Sequence, residues 1–152
     1  MNKKQKSLTN KGFSLVELII VIAIMAVLVG VLAPQYLKYV NNSKVSADVA
    51  SADSIRTAVN TLIADSKLTG TSATLTDGDG VPASASNDAD IIKTAIGTTI
   101  TTKYKSGASF IVTYSTSAGV TKIEYSMPGA SGAAATVYEI YPTDDFSDNC
   151  RE

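Results

Sequence analysis

One carboxylate stands where water is scarce: Glu17, in the stretch KGFSLVELIIVIAIMAVLVGVLAP over residues 11–34. A charged side chain near a bilayer centre costs roughly 2.5 to 3.5 kcal/mol on insertion scales, so such a residue is functional and paired in most cases. The other candidates for chemistry are poorer. The chain has no histidine, which excludes imidazole bases, Ser-His-Asp triads and histidine metal ligands. Cys150 is the single cysteine, so neither an internal disulfide nor a zinc knuckle can form. A Ser-Lys dyad needs a desolvated lysine, whereas Lys103 and Lys105 sit in polar turn surroundings. The DGDG of residues 77–80 matches part of a calcium loop but lacks its closing glutamate, and reads as a turn. Asp144, Asp145 and Asp148 read as a solvated acidic tail. No enzyme, metal site or cofactor is expected.

Glu17 must be positioned by a helix. Residues 1–12 carry Lys3, Lys4, Lys6 and Lys11 and no acid, which predicts a cytoplasmic N-terminus and an exported remainder. The apolar run from Phe13 to Ala33 is 21 residues long. That is roughly 31 Å of helix, enough to span a bilayer and too long for a secretory signal core. On hydropathy alone the segment is a plain signal anchor, with Glu17 snorkelling toward water at the cytosolic edge.

The junction KGFSLVEL adds a second reading, because it resembles the cleavage and methylation site of type IV prepilins. The resemblance covers residues 1 to about 40. It implies that residues 1–12 are a leader removed by prepilin peptidase after Gly12, and that the new N-terminus, Phe13, is N-methylated. It also implies a glutamate four residues further on, which Glu17 matches, and a proline inside the helix, which Pro34 matches. In such pilins the Phe13 amine of an incoming subunit meets Glu17 of one already in the filament. Independently of the family, opposite charges attract strongly in low dielectric while an unpaired carboxylate there is costly.

Beyond Ala33, Pro34 lacks an amide proton and is expected to kink the helix. Residues 34–68 then form its amphipathic half: Val45, Val49, Ala52, Ile55, Val59 and Leu62 recur at steps of three or four, with Lys44, Asp48, Asp53, Arg56 and Asp65 between them. A helix from Phe13 to Lys67 with its stop at Gly70 is predicted, a rod of roughly 80 Å that no compact globule needs.

Residues 69–152 are expected to form the head. Residues 71–87 are Ser, Thr, Gly and Asp rich and contain Pro82, the composition of a loop. Asn87 or Asp88 caps a short helix to Ile96 presenting Ile91, Ile92 and Ile96. Strands are predicted at 98–104, 109–114, 120–126 and 136–142, with Phe110, Val112 and Tyr114 on one face and Thr121, Ile123 and Tyr125 on one face. The fold class is α+β: a long kinked helix, apolar then amphipathic, packed on an antiparallel sheet of three or four strands, as in the pilin fold.

The resemblance implies a structural subunit, a major pilin, that leaves the cytoplasmic membrane for a surface filament used in twitching motility, adhesion or biofilm formation. Its partners would be further copies of the chain, the prepilin peptidase and the pilus assembly machinery. The alternatives are a pseudopilin of a secretion or DNA-uptake system, or an anchored binding module that never assembles. Many Gram-negative pilins close the C-terminal region with a disulfide that a lone Cys150 cannot make; this departure resembles the pilins of Gram-positive, clostridial-type bacteria, with internal hydrogen bonds as the expected fastening. Nucleic acid is not an expected partner, since after residue 12 nine basic residues face fourteen acidic ones.

Overall fold

In the computed structural model the described residues are 12–78, 87–97, 99–129 and 133–151. The chain divides into two units, Met1–Leu37 and Lys38–Glu152. Helix α1 runs from Leu15 to Ala64 with Pro34 inside it. In the first unit its large apolar side chains are exposed, from Leu15 through Leu37.

In the second unit α1 buries Val45, Asp48, Ala52, Ile55, Val59 and Leu62, steps of three and four that keep one face inward. Helical pairing ends earlier than Lys67. Ser66 takes the left-handed conformation (φ 54°), its amide bonding the Ile63 carbonyl, while the Lys67 amide reaches the Leu62 carbonyl. This double closure is a Schellman turn, and the stop falls on Ser66 rather than on Gly70 because both orphan carbonyls are already satisfied there.

Four antiparallel strands follow in the order β1-β2-β3-β4: β1 Ser72–Thr76, β2 Ser109–Ser115, β3 Gly119–Met127 and β4 Thr136–Tyr141. The last three lie where expected. The first does not, since β1 occupies part of the stretch predicted as a loop; Ala73 and Leu75 point inward between outward Ser and Thr, a period-two pattern in small residues. Residues 79–86 of that predicted loop, with Pro82 and the second half of DGDG, lie outside the described residues.

The strand predicted at 98–104 is absent from the described residues of that segment. Ile100 and Thr102 are buried in alternation, but the amides are taken by carboxylates instead of a neighbouring strand: Thr102 donates to Asp77, and Lys103 and Tyr104 donate to Asp48. Without a partner ladder, alternating burial does not make a strand. Thr121 is also misplaced by the sequence pattern. A register shift at Thr113/Tyr114 pairs Tyr114 with Val120, so Val120 turns inward and Thr121 outward, as at a β-bulge.

Helix α2, Asp88–Ile96, starts at Asn87, whose side chain accepts from the Asp90 amide at 3.0 Å, and ends on left-handed Gly97. It presents Ile92 to the core as expected, with Ile91 and Ile96 half-buried. The expected solvated tail is instead helix α3, Asp145–Cys150, with Phe146, Ser147 and Cys150 buried. Phe146 stacks on Tyr125 at 4.4 Å between centroids and meets Tyr104 edge-on at 5.7 Å. Arg151 adds a bond to the Ser46 hydroxyl at 3.3 Å. An aromatic plug thus fastens the segment, with hydrogen bonding as a supplement, because a buried aromatic ring brings far more apolar area than a surface bond.

Candidate assembly and processing site

Ser14 and Glu17 begin α1. The Glu17 carboxylate Oε2 accepts the Ser14 backbone N–H at 2.8 Å, and the Ser14 carbonyl accepts from Leu18 at 3.3 Å. Ser-x-x-Glu before an apolar run is the sequence form of a capping box, and this bond is its glutamate half. The carboxylate also lies in the first turn, where the positive end of the helix dipole favours it. Sequence reasoning singled out Glu17 for its charge and passed over Ser14, although the spacing was there to be read.

Gly12, Phe13 and Glu17 are all exposed, Phe13 by 88%. Glu17 Oε1 accepts from none of the described residues. Around the carboxylate, Phe13, Leu18 and Val21 line an open apolar groove along the helix. The helix is long and apolar enough to cross a membrane, and its most apolar stretch is buried nowhere. A carboxylate with one committed oxygen, set among bare apolar side chains, can accept a cation from another molecule; among the described residues no second titratable group bonds to it.

The head gives enzyme readings no more support. A recess of about 160 Å³ is lined by Ser51, Ser54, Ile55, Ile96, Thr99, Ile100, Thr101 and Phe110, none of them titratable in the physiological range. Both serine hydroxyls are turned back onto helix carbonyls, those of Ala47 and Ala50. Among the described residues no group of three carboxylates or thiols is arranged to hold a metal. Asp77 accepts from the Gly107 amide at 2.7 Å, the Thr102 amide at 2.9 Å and the Ser106 hydroxyl, donors that hold its carboxyl below the ordinary range. Its oxygens serve as a loop clamp.

Two further aspartates do similar work. Asp48 lies in the apolar face of α1, fully buried, and accepts from Lys103 at 2.7 Å and Tyr104 at 2.9 Å. Asp88, the first residue of α2, binds the Thr69 and Gly70 amides and the Tyr114 hydroxyl, the last at 2.6 Å. Burial pushes the Asp88 carboxyl up, but the Tyr114 hydroxyl and the amides outweigh it and leave it below its ordinary value. Burial first, and then Asp88, drive the Tyr114 hydroxyl well above its usual value. None of these three clamps was foreseen. Asp48 had a signal: it occupies the heptad-like series 45, 48, 52, 55, 59, 62 that the apolar stripe follows.

The comparisons with known proteins add to this picture. A family described as the prokaryotic N-terminal methylation motif matches residues 8–33. The type IV major fimbrial protein FimA of Dichelobacter nodosus is 40% identical over 75 residues, 45% of this chain and 48% of its own length. A fimbrial protein of Pseudomonas aeruginosa is 37% identical over 67 residues, 44% of each chain. One of Moraxella nonliquefaciens is 41% identical over 51 residues, 34% of this chain and 33% of its own. The chain thus spans about half the length, or less, of the curated relatives it matches. No solved structure matches it. By its methylation motif, its bare apolar helix and its relatives, the chain is similar to the type IV pilins.

Proposed function

We propose that the chain is a structural subunit, a major pilin, of a type IV pilus. The observation that carries this reading is Glu17, capping the first turn of α1 where its apolar half is bare, inside the methylation motif. Prepilin peptidase cuts between Gly12 and Phe13, and Phe13 is N-methylated. The leader lysines hold residues 1–12 in the cytoplasm, and the helix from Phe13 to Ala33 keeps the subunit in the membrane until assembly.

Assembly buries that helix against other copies, since a heterologous contact that does not close generates a filament. The new Phe13 amine of an entering subunit pairs with the Glu17 carboxylate of its neighbour, using the oxygen that the Ser14 amide leaves open. Pro34, unable to donate to the Gly30 carbonyl, lets α1 bend where the apolar half passes into the amphipathic half. The resulting surface filament serves twitching motility, adhesion or biofilm formation. Similarity to structural fimbrial proteins supports a non-enzymatic role.

Terminal sequencing of filaments sheared from the cell surface tests the reading. An abundant polypeptide beginning at N-methylated Phe13 is expected. An intact leader would instead support a membrane anchor that never assembles, and a start at any other residue would end the prepilin reading.

A further inference from the structure

Thirteen lysines and arginines are present, four of them before Gly12, which leaves nine for the second unit. They fall into two sets. Arg56, Lys67, Lys93 and Lys122 each lie within 4.0 Å of a carboxylate, respectively Asp53, Asp65, Asp90 and Glu124. Lys38, Lys44, Lys103, Lys105 and Arg151 are exposed and form an ion pair with none of the described carboxylates.

The unpaired set is gathered at one end of the unit. Asp48 binds the Lys103 and Tyr104 amides, and Arg151 binds Ser46, so residues 44–48 of α1, the 103–105 segment and Arg151 converge. Asp48 spends its charge inward on those amides. On α3, Asp145 holds the Asn149 side chain, and Asp148 is exposed. The β2–β3 turn marks the opposite end, for Val120 donates to Asn60, which lies about 21 Å further along the helix than Ser46. The cationic end is therefore the one at which the polypeptide enters from the apolar segment. Lys38 and Lys44 follow Ala33 by no more than about 8 and 16 Å of helical rise. A headgroup layer is about 5 to 8 Å deep and the Debye length is about 8 Å, so a flexible lysine at either position acts within the surface potential of a bilayer. Exposed Tyr39, amphipathic and flanked by Lys38, suits the same interfacial layer.

We propose that, while the helix is held in the membrane, the head docks on anionic lipid headgroups through Lys38, Lys44, Lys103, Lys105 and Arg151. This rests on the membrane-held stage of the proposed function and does not require a filament to form. The patch gives the subunit a resting posture on the bilayer, released when the helix is withdrawn. The paired cations elsewhere on the head leave no competing face of the same sign.

The test uses the full chain in lipid nanodiscs, either phosphatidylcholine alone or phosphatidylcholine mixed with phosphatidylglycerol, each with a nitroxide-headgroup lipid. Amide relaxation is read at Ser46, Lys103 to Lys105 and Arg151, with the turn at Ser115 to Gly119 as reference. Strong relaxation at the first set in anionic discs is expected, absent from neutral discs and abolished by high salt. The double variant Lys103→Glu, Lys105→Glu should lower the docked population by about tenfold or more, each basic residue near an anionic surface contributing about fivefold. Equal relaxation in the two lipids would overturn the proposal. If lipid charge has no effect but the double variant stops filament formation, the patch faces another copy of the chain and lipid docking is likewise refuted. Loss of filaments in a Glu17 variant with docking intact would separate the two readings.

Discussion

The two halves of α1, the first much richer in large aliphatic side chains than the second, stand in opposite conditions. In the first unit the side chains from Leu15 to Leu37 are bare; in the second, Val45, Ala52, Ile55, Val59 and Leu62 are closed over by the sheet and by the segment ending at Tyr104. A bare helix of that hydropathy has no stable place in water, so its partner must be lipid or other helices. The covered half has all it needs within the chain. Stability and the proposed assembly thus fall on different stretches of one helix, and variants should separate them.

Glu17→Gln gives the largest separation. Glutamine keeps a capping acceptor for the Ser14 amide but loses the charge. Surface filaments, counted by electron microscopy, should fall by about tenfold or more, the equivalent of 1.4 kcal/mol of lost pairing, while the head's unfolding midpoint is unchanged. Filaments at normal density would dissolve the contrast between the halves. Phe146→Ala should do the reverse, costing the head about 3 to 5 kcal/mol in denaturant unfolding by emptying the space among Tyr104, Tyr125 and Tyr138. The apolar helix should still insert in membranes.

Asp48→Ala comes next. It strands the Lys103 and Tyr104 amides, at about 1 to 3 kcal/mol in total, and Asp48→Asn, which keeps one acceptor oxygen, should cost less. Acid acts on the other two clamps. The Asp88 and Asp77 carboxyls lie lower in the folded chain than their ordinary 3.8, so their contributions are complete above that value and disappear as pH falls through the folded values. A fluorescence titration of the head should therefore show a stability limb below about pH 4, smaller in Asp88→Asn. Arg56→Ala should have the smallest effect, about 0.5 to 1 kcal/mol, because the cation over the Tyr141 ring at 4.7 Å and its 4.0 Å approach to Asp53 are both partly open to solvent.

How far the sequence foretold this follows from where the information is local. The apolar run, the acid at Glu17, the cap at Asn87 and the alternation through Phe110, Val112 and Tyr114 depend on neighbours a few residues away, and all could be read directly. The segment 99–104 could not, because its amides are claimed by Asp48, more than fifty residues earlier, and by Asp77. A β-branched run looks the same whether a strand or a carboxylate answers it. The strand at Ser72–Thr76 was hidden by its small, polar outward residues, and Thr121 was turned outward by a bulge that depends on the partner strand. Asp144 to Cys150 looked like a tail because acids dominate its composition, while its position is decided by one ring, Phe146. At the candidate assembly site, the role of Glu17 as a cap follows from a three-residue spacing. What it meets on another molecule lies outside a single chain.

Asp48 has one more consequence, in time. Its amide donors lie 55 and 56 residues away, so this pairing is non-local and follows the local bonds of the helix. Until it forms, the apolar face of α1 between Val45 and Ala52 stands uncovered with a carboxylate in its middle. Such a charge keeps two nascent faces from adhering, as gatekeeper residues do beside unavoidable apolar stretches. The carboxylate that locks the finished head also keeps the unfinished one soluble.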